Sequence, residues 1–253
     1  MQKAKGLLWV LAASTLAALF AMGLPRLAKH VPWRTEQWLG DALGGASAAI
    51  TCRSGASGAA TAALDRLVRR LYPLYPDDAA LPITVDVVRG RTVNAFAALG
   101  GHIHVIDGLI QQARTPEELA GVLAHEIEHV RNRHIVQGLA ADLLTLGALN
   151  AAVPDHDLAG SRTAYMLLHL KFSRQQEEEA DEKGLARLRD AHIDSSGFAQ
   201  FFSRAEAANE PIPLLSSHPG SESRAALAAR FRGYPVEPIL DAGDWQALRA
   251  ICK

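Results

Sequence analysis

The residues with the clearest chemical purpose are His125, Glu126 and His129, in the order His-Glu-x-x-His. Side chains four apart on an α-helix share a face one turn apart, so both imidazoles can point at one ion about 2.0–2.1 Å from each nitrogen. Glu126 is rotated off that axis, poorly placed to ligate but near enough to take a proton from a water on the metal. The plain alternative is a surface helix with two solvated histidines. A zinc site needs a third protein ligand, and residues 173–181 offer one: they open a polar helix on which Glu177 and Asp181 stand four apart on one face. Glu177 could ligate while Asp181 hydrogen-bonds the outer nitrogen of a ligand histidine and fixes its tautomer. Glu178, with Glu182 four residues on, is the competing choice, and a solvated acidic helix start favoured by the helix dipole is the plain one.

These groups need elements to position them. Thr115 can cap a helix, Pro116 suits its first position, and Glu118 sits where a capping box would place it, so a helix is predicted to begin there and run through His129. Leu119, Val122, Leu123, Ile127 and Val130 recur at helical spacing as its core stripe, leaving an adjoining stripe for the histidines. Residues 83–88 alternate as a strand, 89–91 form a turn, and 93–98 and 102–106 supply two more strands. His102 and His104 alternate with Ile103 and Val105, which favours a polar strand face over ligation. Further helices are expected over 59–71 and 195–208. Residues 135–153 form a second apolar stretch broken by Asp142, whose burial at a bilayer centre would cost about 2.5–3.5 kcal/mol, so it reads as a buried or membrane-skimming helix. A loop at 154–161 and a returning helix at 164–172 would complete a lid.

Together these pieces resemble the gluzincin peptidases, the family of the CAAX prenyl protease, HtpX and BepA. The resemblance rests on Asn94-Ala95-Phe96-Ala97 with Gly100-Gly101-His102-Ile103, on Asp107-Gly108-Leu109-Ile110, on 125–134 with its further histidine His134, and on 173–181; it spans 83–231. It implies an α+β, mostly helical, zincin-like metallopeptidase domain with a small antiparallel or mixed sheet, holding one Zn2+. By that match His125, His129 and Glu177 are the metal ligands, Glu126 is the general base and Asp181 orients a ligand histidine. The strand Asn94, Ala95, Phe96, Ala97 would hold an extended substrate by backbone hydrogen bonds along a sheet edge. The stretch 216–224 resembles a late family motif, in which His218 would act as a fourth, switch-like ligand or steady an oxyanion and Arg224 would add positive charge; a loop histidine beside a helix end is the alternative. The activity implied is that of a membrane-anchored zinc metalloendopeptidase acting on polypeptides in envelope protein quality control, with envelope assembly machinery as partner. A chaperone-like or binding factor with a closed zinc site, and a zinc hydrolase of small substrates, are the alternatives.

The 253 residues, 49% apolar, suffice for one substantial domain and an accessory segment, here 59–253 for the domain, 31–58 for a juxtamembrane segment and 1–30 for a signal anchor. With 26 basic against 27 acidic residues and no basic run interleaved with aromatics, no nucleic-acid partner is expected. Residues 6–24 carry no charge and as a helix would span about 28 Å, enough to cross a bilayer. They read as an uncleaved transmembrane helix in a bacterial inner membrane with the catalytic domain in the periplasm; release to the periplasm after cleavage near Ala21-Met22-Gly23 is the alternative. Trp33 and Trp38 would sit near the interface or pack ordinarily. Cys52 and Cys252 could pair in an oxidising compartment or remain free thiols.

Overall fold

The computed structural model describes residues 23–44, 51–52, 56–142, 172–207, 212–218 and 224–253. Three short strands, β1 (Thr84–Val88), β2 (Ala95–Ala97) and β3 (His102–Ile106), form one mixed sheet in the order β1-β3-β2. Strand β3 runs parallel to β1, with Thr84 opposite His102, and antiparallel to β2, with Ala97 opposite Ile103. Period-two alternation turns Val85, Val87, Ala95, Ala97, Ile103 and Val105 to one buried face, and Thr84, Asp86, Phe96, His102 and His104 to the other. The expected strand at 93–98 is regular only over Ala95–Ala97, although Asn94 O still accepts from Ile106 N and Ala98 N donates to His102 O. Gly100 and Gly101 adopt φ of 79° and 83° in the turn from β2 to β3, a region closed to most side chains.

Around this sheet lie α1 (Trp33–Gly44), α2 (Gly58–Leu71), α3 (Asp107–Gln112), α4 (Pro116–Arg131), α5 (Arg174–Asp190), α6 (Ser196–Ala207), α7 (Pro213–Ser217), α8 (Arg224–Ala229) and α9 (Ala242–Arg249). Residues 134–142 are also helical, with Ile135, Val136 and Leu139 buried. Helix α4 is the hub, packed against β2, α2, α5 and α6. Thr115 caps it as expected, accepting from Glu118 N at 3.3 Å. The rest of the expected capping box is not formed: Glu118 Oε2 instead accepts from Arg114 N at 2.9 Å and pairs with Arg204 of α6 at 2.6 Å, because a guanidinium is the stronger partner for a buried carboxylate. The expectation of one core stripe beside an open one also gives way, since every residue from Glu118 to Val130 is buried. Helices α5 and α6 cover what a lone amphipathic helix would leave to water.

Arginines pair with several of the buried carboxylates. Arg187 of α5, fully buried, donates to Glu128 Oε1 at 2.8 Å, to Asp78 Oδ2 at 3.0 Å and to Leu71 O at 2.7 Å. Arg131 adds a contact to Asp78 at 2.6 Å, and the two guanidiniums lie over the Tyr75 ring. Cys52 and Cys252 are joined in a disulfide, Cα–Cα 5.0 Å, across a sequence separation of 200. Thr51 bridges Val88 and Cys52 N donates to Val87 O, so the bond ties the outer side of β1 to the C-terminal tail.

Among the described residues no helix is long and apolar enough to cross a membrane. The expected anchor at 6–24 lies outside the described residues apart from Gly23 and Leu24, as do 143–171, which hold most of the expected lid. Trp33 lies under Arg133 at 5.2 Å, whereas Trp38 is 69% exposed.

Candidate metal centre

Two helices supply most of the site, and local sequence sets their phase. Ser173 caps α5 with a complete capping box, accepting from Gln176 N while Gln176 Oε1 accepts from Ser173 N at 2.9 Å, which puts Glu177 in the first turn and Asp181 one turn on. Gly184 lets α5 press onto α4: a Cβ there would stand 3.2 Å from His125 N. Glu177 and Asp181 are thereby brought level with His125 and His129, while Glu178 and Glu182 face outward. His218 follows α7 and completes the group.

His125 Nε2 stands 2.9 Å from His129 Nε2 and 3.1 Å from His218 Nδ1; Glu177 Oε1 stands 3.1 Å from His218 Nδ1 and 3.5 Å from His129 Nε2. His125 Nε2 lies 3.5 Å from Glu177 Oε2. All four side chains are at most 1% exposed, and one ligand atom from each falls within 4.8 Å of all the others. An ion holding four donors tetrahedrally at about 2.05 Å separates them by about 3.3 Å, so the observed spacings suit a single zinc. Three imidazoles and a carboxylate are also its usual chemistry.

The surroundings orient these donors. Asp181 Oδ1 lies 2.8 Å from His125 Nδ1, an ion-pair contact on the outer side of that ring. Arg224, 2% exposed, donates to Asp181 Oδ2 at 2.8 Å, to Glu177 Oε2 at 3.2 Å and to His218 O at 3.2 Å. The late-motif arginine thus fastens the two carboxylates and the His218 backbone together, a role its sequence context did not reveal. Phe172 stacks on His129 with ring centroids 3.9 Å apart. No spacing pattern pointed to that contact.

Burial and charge act in opposition here. Burial pushes the His125 imidazole down, but Asp181 and Glu177 outweigh it and carry it up to about 10. His129 is held well below the usual imidazole value by burial and by the neighbouring rings of His125, His218 and His134. Burial pushes Glu177 up, yet hydrogen bonds and charge from His125 and His218 hold it far below the usual carboxylate range. Glu126, fully buried, is pushed up mainly by desolvation. Its Oε2 accepts from Ala97 N at 3.0 Å; its Oε1 has no hydrogen-bond partner among the described residues and lies 3.5 Å from His218 Nε2.

Ala95 and Ala97 turn their backbone groups away from β3, because Asn94 and Ala98 bond to it in the alternating pattern of an antiparallel pair. Of the residues Asn94, Ala95, Phe96 and Ala97, only Ala97 touches the centre, through Glu126. Ala95 and Ala97 are 0% and 5% exposed on the inner face of the sheet, while Asn94 and Phe96 are half-buried.

A model of peptidase family M48 matches residues 59–230. A Vibrio cholerae protein named putative beta-barrel assembly-enhancing protease is 32% identical over 205 residues, 74% of this chain and 42% of its own length. The mitochondrial metalloendopeptidase OMA1 of Schizosaccharomyces pombe is 32% identical over 147 residues, 55% of this chain and 44% of its own. The Escherichia coli metalloprotease LoiP is 31% identical over 153 residues, 57% and 60% respectively. The chain spans less than half the length of the first two of these relatives. Sequence match and donor chemistry agree: the chain belongs to peptidase family M48, a metallopeptidase family, and zinc is the metal that its four buried donors suit.

Proposed function

We propose that the protein is a zinc metalloendopeptidase, with His125, His129 and Glu177 as ligands, Glu126 as general base and His218 as a displaceable fourth ligand. The observation that carries this reading is the conjunction of four convergent buried donors with the unpartnered Oε1 of Glu126 beside them. Bound there, zinc would polarise a scissile carbonyl and lower the pKa of a water to about 7. Glu126 Oε1 would take a proton from the attacking water and return it to the leaving amine, with the Ala97 N–H steadying Oε2. The backbone groups of Ala95 and the carbonyl of Ala97, which face away from β3, would receive the substrate backbone.

A catalytic zinc keeps one position for water, whereas a closed four-ligand set is the mark of a structural site. His218 would fill that position, and on this reading the arrangement is a resting state. The same closure favours, as a second reading, a binding or chaperone-like factor that uses its zinc only for structure. Envelope proteins are the substrate class we favour, supported by the names of the assembly-enhancing relatives and by the disulfide, a bond of oxidising compartments. We further propose anchorage through 6–24, with 59–253 as the catalytic unit. The test is cleavage of casein by zinc-loaded wild type and Glu126→Gln. Cleavage by the wild type alone is expected; equal turnover by both would remove Glu126 from the mechanism, and cleavage by neither, with zinc bound in both, would favour the binding reading.

A further inference from the structure

Each histidine of the centre has a second ring nitrogen, and what that nitrogen meets decides whether the first can offer a lone pair. For His125 the outer partner is Asp181. For His129 it is another histidine: His134 Nδ1 lies 3.0 Å from His129 Nδ1, and both residues are buried. The other nitrogen of His134 lies 3.4 Å from Glu179 Oε2, and Glu179 Oε1 accepts from Lys183 Nζ at 2.6 Å. Lys183 also bonds Asn132 Oδ1, in the turn that separates His134 from α4. The file of groups thus runs from the centre to the surface, where Glu179 and Lys183 are 40% and 46% exposed.

Proton counting allows one arrangement. If His129 Nε2 faces the metal with a lone pair, His129 must carry its proton on Nδ1. That N–H then donates to His134 Nδ1, which must be bare, so the His134 proton sits on Nε2 and points at a carboxylate, the one partner that can only accept. We infer that His134 is a positioning residue for the zinc site, holding His129 in the Nδ1–H tautomer through a neutral imidazole relay that ends on Glu179 and Lys183. The inference rests on the reading of His129 as a ligand. It departs from the usual pattern, in which a carboxylate or backbone carbonyl receives the outer proton of a ligand histidine. A neutral acceptor draws less charge through the ring than Asp181 does on His125, so the two imidazoles are unequal donors.

The variants His134→Phe and His134→Asn separate this role from simple packing. Phenylalanine keeps a ring beside Phe172 and His129 but accepts nothing; asparagine places an oxygen near the position of Nδ1. Zinc affinity, by chelator competition, is expected to fall about 10–100-fold in His134→Phe and to return most of the way in His134→Asn. Wild-type affinity in His134→Phe would overturn the relay. Because the phenylalanine variant could fold poorly, the ring tautomers are also read in the wild type by long-range proton–nitrogen correlation spectra of the zinc-loaded protein. His134 protonated on Nε2 alone is the expected signature; a proton on its Nδ1 would overturn the proposal. His129→Ala is the control for the underlying reading: zinc retained at wild-type affinity there would sink the ligand assignment itself, whatever the outcome at His134.

Discussion

At the scale of single residues, the phase of α5 sets which carboxylate faces the buried donors. The sequence left Glu177 and Glu178 in competition, since both open a pair four residues apart; helix phase favours Glu177, because α5, capped by Ser173, buries it and turns Glu178 to solvent. Glu177→Ala is expected to lose most bound zinc and Glu178→Ala to keep it, as metal analysis after gel filtration would show; the reverse pattern would move the ligand by one residue. His125 keeps a proton up to about pH 10 in the absence of metal, whereas His129 does not. Zinc must therefore displace about one proton, and its affinity is expected to rise about tenfold per pH unit between about pH 7 and 9, because alkali removes the competing proton. Calorimetry in buffers of different ionisation enthalpy measures that release, and a buffer-independent heat would contradict it. The sequence left His218 open between a switch-like fourth ligand, an oxyanion group and a loop histidine beside a helix end. Its Nδ1 among the donors favours the plug, so His218→Ala is expected to keep zinc and cleave casein faster, by a rate assay; a loss of activity would make it part of the chemistry.

At the scale of elements, the His-Glu-x-x-His helix was readable from its cap and its periodicity, but its complete burial was not. That burial depends on which other helices close over it, and α5 and α6 owe their approach to glycines whose purpose shows only in three dimensions. A Cβ on Gly121 would stand 2.9 Å from the Phe198 backbone. Gly121→Ala is therefore expected to push α6 off α4 and to destabilise the domain by about 1–3 kcal/mol, measured by urea denaturation. The charged cluster of Asp78, Glu128, Arg131 and Arg187 locks α4 to α5 from the far end. Its members lie far apart in sequence and carry no spacing signal. Removing one partner strands the others, so Asp78→Ala is expected to cost about 3–5 kcal/mol. Burial pushes the Asp78 carboxyl up, but Arg187 and the N–H groups of Leu74 and Tyr75 win and hold it below its usual value. A depressed carboxyl stabilises the fold above the unfolded value of about 3.9 and loses that contribution as pH falls below it. The wild type is expected to weaken on acidification through that window more steeply than Asp78→Asn, in denaturation midpoints taken at successive pH values.

At the scale of the whole molecule, helices packed about α4 join a small mixed sheet, and that much of the fold class was foreseeable from three alternating strands among amphipathic helices. The cysteine pairing was not, because sequence holds no distances; the structure joins Cys52 to Cys252 across nearly the whole domain. Closing a loop of 200 residues restricts the unfolded chain by about 5 kcal/mol on the entropy model. Reduction, or Cys252→Ser, is expected to lower the urea midpoint accordingly while leaving zinc stoichiometry unchanged, since neither sulfur touches the centre. Loss of zinc on reduction would mean that the tail supports the site directly. Whether four buried donors hold one zinc in a closed resting state is read by zinc K-edge absorption on the purified protein. The expected spectrum has four nitrogen or oxygen neighbours at about 2.0–2.1 Å, with imidazole scattering from three rings that falls to two in His218→Ala. Two imidazoles already in the wild type, with no change on removing His218, would contradict it.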